Sequence, residues 1–316
     1  MSTQKKRSSQ INVLVVYVAT MFICLVIFGS CAVLLLDIFV TQPAKKKAQE
    51  EQMAQTENGG ESEEEDFSFA RETILFVGAQ GETINGMAII RVLPDGGSVK
   101  IVPVSKYTLS EVGGTSGTVA QLFESGGMSY LKAAVENAFD IKCDKYIKIS
   151  NDGFKALVEY AGGTSSYTFP EELYYKNEET GELTSFSQGP ASRTLWGDDI
   201  RRILTYPLYA DGEKTKVQAV GELGASIINS GFLTNAEEIT NNLTNIFNTI
   251  FNNSDTDITS RSFKEVKPAY EHLLEISQSP ATYRMPKGTW GDNGYFSVDT
   301  EFKTEIKEYF ELIEQE

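Results

Sequence analysis

Residues 126–163 read GGMSYLKAAVENAFDIKCDKYIKISNDGFKALVEYAGG, and this stretch decides the fold. From Ser129 to Phe139, Leu131, Val135 and Ala138 recur at helical spacing, so a helix is expected there. Asp144–Ile149 then alternates polar and apolar residues as a half-buried strand does. Asn151 is the expected cap of a helix over Asp152–Ala161, which Gly162 and Gly163 end. Helix, strand and helix within one short segment indicate a layered α/β domain.

Working outward, Thr73–Gly78 reads as a buried strand closed by glycine. Met87–Leu93 and Val99–Val104 are two further strands, joined by the turn Pro94-Asp95-Gly96-Gly97. Later helices are expected near 213–230, 236–251, 260–276 and 299–314, with Thr259 and Asp299 as caps. Strands interleaved with helices, then helices crowding the C-terminal half, predict an αβα sandwich around a mixed central sheet. Gly96-Gly97 and Gly113-Gly114 fit no phosphate-loop spacing and read as turns.

The N-terminal region is of another kind. Residues 11–40 are almost wholly apolar, longer than the ~20 residues that cross a bilayer core, and predict one transmembrane helix. Phe28-Gly29-Ser30-Cys31 only loosely suggests a lipoprotein cleavage box, because apolar sequence continues through Leu34, Leu35 and Leu36. Lys5, Lys6 and Arg7 precede the run and Lys45, Lys46 and Lys47 follow it, so charge alone leaves the orientation nearly tied. Residues 1–10 then form a short N-terminal segment, and 41–66 an acidic flexible linker ending in Glu61-Ser62-Glu63-Glu64-Glu65-Asp66. Residues 67–316 remain for the folded domain.

Charge and cysteine content exclude several functions. Residues 1–40 carry a net charge of +2 within a total of -16, so the rest of the chain carries -18. Such a surface repels phosphate backbones, and no nucleic-acid partner is expected. Cys24 and Cys31 lie in the apolar run, which leaves Cys143 without a partner for a disulfide in the domain or for a CxxC metal site. His272, the one histidine, reads as a solvated helix residue rather than a catalytic one. Asn242-Leu243-Thr244 and Asn252-Asn253-Ser254 are formal glycosylation sequons.

The ordered set of segments resembles the LytR–CpsA–Psr family, bacterial cell-envelope proteins with a short cytoplasmic N-terminus, one membrane helix and an extracytoplasmic α/β/α domain. Residues 126–163 are similar to its stretch of the form GG-ELL-TVE-LLGI-ID-YV-VDF-GF--LVDALGG. Ile74–Gly78 resembles its opening strand, Val99–Thr108 the strand leading to its IPRDT motif, and Asp211–Gln218 its GD--R-QRQ helix start. Thr256–Thr259 and Pro286–Trp290 resemble its late TNLS and PG-W pieces. The resemblance spans about residues 70–310 and implies a single-pass bacterial membrane protein with residues 1–10 as a cytoplasmic N-terminus and its C-terminal domain outside. It also implies transfer of a glycan phosphate from a polyprenyl-pyrophosphate carrier to a cell-wall acceptor. That chemistry uses arginines on the pyrophosphate and carboxylates on a divalent cation.

At the positions that carry this chemistry the chain departs from the pattern. Gln80 stands where the family has aspartate, and Asn85, Gly86 and Met87 where it has an arginine–aspartate–threonine context. Lys106 and Tyr107 replace the arginine and aspartate of IPRDT. Lys216 and Ala219 occupy the places of two later arginines, and Arg201 and Arg202 precede the segment Leu204–Tyr209, which lacks the expected ones. The resemblance therefore implies a pyrophosphate pocket formed from Lys106, Lys216, Gln80, Tyr107, Arg201 and Arg202. It implies no metal site, with Mg2+ needed only by an active enzyme. Lysine keeps the charge but loses the planar fork of arginine.

Three readings follow. The first is a degenerate domain that binds a lipid-linked glycan or a partner in cell-wall glycopolymer assembly. The second is an active phosphotransferase in which Glu82, Glu111, Glu124 or Glu213 substitutes for the missing carboxylates. The third is a membrane-tethered structural module without enzymatic activity, and without a groove. In the family, a hydrophobic tunnel holds the polyprenyl tail; Phe232, Phe247 and Phe251 can line such a tunnel or pack the helical layer, and packing is favoured. Phe154, Leu157 and Val158 read as core.

Overall fold

Side-chain alternation in the first strand divides the protein into two layers of core. The computed structural model describes residues 69–313. In β1 (Glu72–Gln80), Leu75 and Val77 face one core, whereas Ile74 and Phe76 face the other. Strand β2 (Thr83–Leu93) runs antiparallel to β1, and β3 (Ser98–Pro103) antiparallel to β2. The turn joining them is closed by the Gly97 amide donating to the Pro94 carbonyl at 3.1 Å, with Gly97 at φ +58°.

A small hairpin of β4 (Leu109–Val112) and β5 (Thr115–Thr118) turns through Gly113 and Gly114, both at positive φ. It feeds α1 (Val119–Phe139), which begins well before Ser129, where the apolar spacing first becomes obvious. Thr118 and Gln121 form a capping box at its start, and Gly127 at φ 64° breaks the helix where the paired glycines interrupt the periodicity. Strand β6 (Lys145–Ile149) then adds parallel to β1.

The next helix, α2 (Asn151–Tyr160), is capped by Ser150 rather than Asn151: the Ser150 hydroxyl accepts from the Gly153 amide at 3.2 Å. Asn151 is already in the first turn, which leaves its side chain to make another contact.

Two ribbons follow in a region where the sequence suggests no element. They comprise β7 (Thr168–Phe169) with β10 (Gly189–Pro190), and β8 (Leu173–Lys176) with β9 (Leu183–Phe186). The helices α3 (Gly197–Leu204), α4 (Glu213–Thr234) and α5 (Ala236–Asn253) come next. Strand β11 (Ser254–Thr256) pairs with β6, and after α6 (Ser260–Ile276) strand β12 (Ala281–Tyr283) pairs with β3. The chain closes with the hairpin β13 (Gly288–Trp290) and β14 (Phe296–Val298), then α7 (Thr300–Tyr309). Thr259 caps α6 through its side chain; Asp299 occupies the cap position of α7 but makes no capping bond.

The six-stranded sheet has the order β11-β6-β1-β2-β3-β12 and is mixed. Helices α1 and α7 cover the Leu75 face, burying Leu122, Leu131, Phe139, Phe302 and Ile306 completely or nearly so. On the Ile74 face, α2, α4, α5 and α6 supply Leu157, Ala225, Ile250 and Leu273. Cys143 is a buried free thiol whose pKa burial pushes up to about 12, which makes it an inert packing residue. His272 is not fully solvated, since its ring stacks on Phe69 at 4.8 Å. Among the described residues no helix is long and apolar enough to cross a membrane. The run 11–40 and the segments 1–10 and 41–66 lie outside the described residues.

Candidate functional site

Near the end of β1 the pairing with β2 slips: Gly78 faces Gly86, but Ala79 faces Ile84, leaving Asn85 as an extra residue. The bulge directs the Asn85 amide to the Asn151 side-chain oxygen at 3.1 Å, across to the first turn of α2. Both residues line an apolar cavity of about 310 Å³ between the sheet and the helices α2, α4 and α5. Its walls include Phe76 and Ile90 from the sheet, Leu157 from α2, Val220 and Ile228 from α4, and Ile246 from α5.

A second cavity of about 220 Å³ adjoins the first, sharing Asn85, Gly86, Met87, Leu204 and Val220 with it. This mouth is more polar than the first cavity and contains Lys106, Glu213, Lys216, Thr83 and Thr205. Residues 105–108 form a turn after β3, in which the Thr108 amide donates to the Ser105 carbonyl at 3.1 Å. Glu213, the first residue of α4, fixes that turn: its Oε1 accepts from Ser105 Oγ at 3.2 Å and from the Lys106 amide at 3.3 Å. Lys216 follows Glu213 by three residues and so lies on the same helix face.

Burial raises the Glu213 carboxyl pKa, although Lys106 and Lys216 pull it down. Burial likewise lowers the pKa of the Lys216 ammonium, opposed by the charge of Glu213. The mouth thus sets two lysine side chains around one carboxyl, beside the amino-terminal turn of a long helix. Such a combination suits an anion.

The candidate residues from the sequence separate in space. Lys106 and Lys216 come together in the mouth. Tyr107 lies beside it, 37% exposed, with the Lys106 ammonium 5.2 Å from its ring centre. Gln80 is exposed at the end of β1 and lines neither cavity. Arg201 lines the apolar cavity and pairs with Glu182 from the β8–β9 ribbon. Arg202 turns away to Asp199 at 2.5 Å, and its guanidinium lies 5.8 Å from the Phe186 ring centre.

Of the four stand-in carboxylates, Glu82, Glu111 and Glu124 are exposed and outside the mouth, whereas Glu213 is in it. Phe232 lines the apolar cavity, Phe247 stacks on Phe263 at 4.3 Å within the helical layer, and Phe251 is exposed. Asn151 reads as a helix cap and Thr205 carries no distinctive sequence pattern, so reasoning from sequence missed both as lining residues. A divalent cation fits the mouth poorly. Its single carboxylate, Glu213, already faces two lysines, and such cations take several oxygen ligands.

The sequence profile of the LytR_cpsA_psr family matches residues 39–202. A polyisoprenyl-teichoic acid–peptidoglycan teichoic acid transferase TagU of Halalkalibacterium halodurans is 31% identical over 102 residues, 31% of this chain and 33% of that protein. The matched stretch therefore spans about a third of that relative's length. Bacillus subtilis TagV shares the fold at a TM-score of 0.57 and 18% identity, covering 77% of this chain and 96% of TagV. TagT, solved bound to LI-WTA, superposes at a TM-score of 0.55 and 14% identity, covering 77% of this chain and 90% of TagT. With a profile match over half its length and the same mixed sheet between helical layers, the chain belongs to the LytR–CpsA–Psr family.

Proposed function

We propose that this chain binds a polyprenyl-pyrophosphate-linked glycan in cell-wall glycopolymer assembly. The prenyl chain would occupy the apolar cavity and the phosphates the mouth at Lys106 and Lys216. The observation that carries this reading is the junction of the two cavities: an apolar chamber opens beside a cationic pocket, as an amphiphile with an anionic head requires. The junction also weighs against a purely structural module. The apolar run at 11–40 would hold the domain at the outer face of the membrane, within reach of such a lipid.

The test is titration of the protein with a polyprenyl-pyrophosphate analogue, with magnesium and with EDTA. Saturable binding in EDTA, weakened by Lys106→Ala or Lys216→Ala, supports a ligand-holding domain. Binding that needs magnesium favours a metal-assisted enzyme, and absence of binding in both conditions removes the proposal.

A second reading, transfer to a cell-wall acceptor, is favoured by Glu213. A half-buried carboxyl with a raised pKa, beside two cations, is suited to accept the proton of an attacking hydroxyl. Incubation with lipid-linked glycan and peptidoglycan fragments tests it: product formed by the wild type and lost in Glu213→Gln supports transfer, and no product from the wild type refutes it.

A further inference from the structure

Helix α4 contains glycines that differ in what they serve. A Cβ at Gly221 would meet the Tyr283 ring at 2.6 Å, and one at Gly231 would meet Ile239 at 3.0 Å and Ala161 at 3.3 Å. Packing demands both. At Gly224 a Cβ would meet only Ile101 Cδ1, at the ordinary contact distance of 3.6 Å. Gly224 also has no positive φ, sits in the interior of a 22-residue helix and lines the apolar cavity. Neither packing nor backbone conformation accounts for a residue that weakens a helix relative to alanine.

The position of Gly224 along α4 supplies a reason. Lys216, Val220, Gly224 and Ile228 follow at intervals of four and share one face of the helix. Lys216 lies in the mouth, Val220 borders both cavities, and Gly224 and Ile228 lie in the apolar one. At 1.5 Å of rise per residue, Gly224 is roughly 12 Å beyond Lys216 along the helix axis. A chain whose phosphate sits at Lys216 would cross the bare backbone at Gly224 only if it extended past its first isoprene unit.

We propose that Gly224 sets the bore of the apolar cavity and makes the site selective for long prenyl chains. This inference rests on the lipid-phosphate reading and adds to it a residue that decides which tails are admitted. A side chain at this position narrows the passage without touching the phosphate site.

The experiment measures binding of isopentenyl pyrophosphate and farnesyl pyrophosphate to wild type, Gly224→Ala and Gly224→Leu, with thermal unfolding of each apoprotein. Wild type should prefer farnesyl pyrophosphate. Gly224→Leu should lose about tenfold or more of its farnesyl affinity and leave isopentenyl affinity unchanged. Gly224→Ala should raise the unfolding midpoint by about 2–4 °C while weakening farnesyl binding, a pairing that general destabilisation cannot produce. If neither pyrophosphate binds the wild type, the lipid-phosphate reading itself fails. If both bind and the Gly224 variants hold farnesyl pyrophosphate as tightly as the wild type, the bore assignment fails alone. Gly224→Ala decides the matter should Gly224→Leu not fold.

Discussion

Ser105 Oγ donates to Glu213 Oε1 across 3.2 Å, joining the turn after β3 to the first residue of α4. The Lys106 amide donates to the same oxygen, at 3.3 Å. One carboxyl thus holds together the two segments that deliver Lys106 and Lys216 to the mouth. It also offsets their charge, so its protonation governs how strongly the mouth attracts an anion.

That dependence has a definite sign. Burial raises the folded-state pKa of Glu213 above the ordinary 4.5. Its contribution to stability is therefore largest below pH 4.5 and falls as pH rises through the folded-state value. Anion affinity follows the same direction, because the ionised carboxylate cancels part of the lysine charge. Glu213→Gln should bind a prenyl pyrophosphate more tightly at pH 7 and lack the part of the pH profile that Glu213 supplies. Calorimetric titrations of both proteins from about pH 4.5, the ordinary glutamate value, to about pH 8 separate this from titration of the ligand, which is common to both. Superimposable pH profiles would remove Glu213 from the argument.

Lys106→Ala and Lys216→Ala should each weaken prenyl-pyrophosphate binding by roughly ten- to a hundredfold, the usual value of a charge-assisted hydrogen bond of about 1.5–3 kcal/mol. Each should also reduce the salt dependence of binding. Arg202→Ala supplies the contrast: Asp199 already holds this guanidinium, so the affinity should not change. Equal losses in all three variants would indicate a general electrostatic effect rather than a local site.

Asp199 is itself a structural anchor. It is 4% exposed, accepts from two Arg193 nitrogens at 2.6 and 2.8 Å, and accepts from the Trp196 amide at 3.2 Å. Burial alone would raise its pKa, but Arg193, the Trp196 amide and Arg202 together hold it below the ordinary 3.8. Its stabilising contribution is therefore complete above pH 3.8 and is lost as pH falls through the lower folded-state value. Asp199→Asn should cost about 2–3 kcal/mol at pH 7, discounted for the exposed Arg193, and less in acid. Urea unfolding at neutral pH and in acid below the ordinary aspartate value checks this; a cost that does not depend on pH would mean the ion pairs contribute little.

The layered fold was legible because its signals are local. The apolar run of β1 closed by glycine, the alternation in β6, the turn at Pro94–Gly97 and the helical spacing after Gly127 each follow from a few neighbouring residues. The mouth was legible in part, since Lys106 and Lys216 belong to segments with recognisable order. What escaped depends on partners distant in sequence. Gln80 follows the opening strand's glycine as the resemblance requires, yet it is the last residue of β1, paired with Thr83 at the turn into β2, and is exposed there. Arg202 enters as a pyrophosphate-pocket candidate through the resemblance, whereas Asp199 and Phe186 hold it in the fold. Asn151 reads as a cap, but one residue of register gives that task to Ser150 and brings the Asn151 side-chain oxygen to Asn85. The ribbons between α2 and α3 have short strands whose stability comes from Phe169, Leu173 and Tyr206 packing together, which no short window reveals.

The aromatic residues of the helical layer give a final test, because Phe232 and Phe247 occupy different environments. Phe247 is buried and lies nearly parallel to Phe263, with ring centres 4.3 Å apart. Phe247→Ala should cost about 3–5 kcal/mol of stability, as large-to-small changes in a packed layer do. Phe232 borders the apolar cavity, so removing its ring enlarges a space that already exists and should cost less stability. Its loss should appear in binding instead, since a prenyl chain would forfeit an apolar wall. Unfolding midpoints and farnesyl pyrophosphate titrations of Phe232→Ala and Phe247→Ala should therefore rank the two variants in opposite orders. The same ranking in both measurements would mean that Phe232 packs the helical layer and that the lipid, if bound, runs elsewhere.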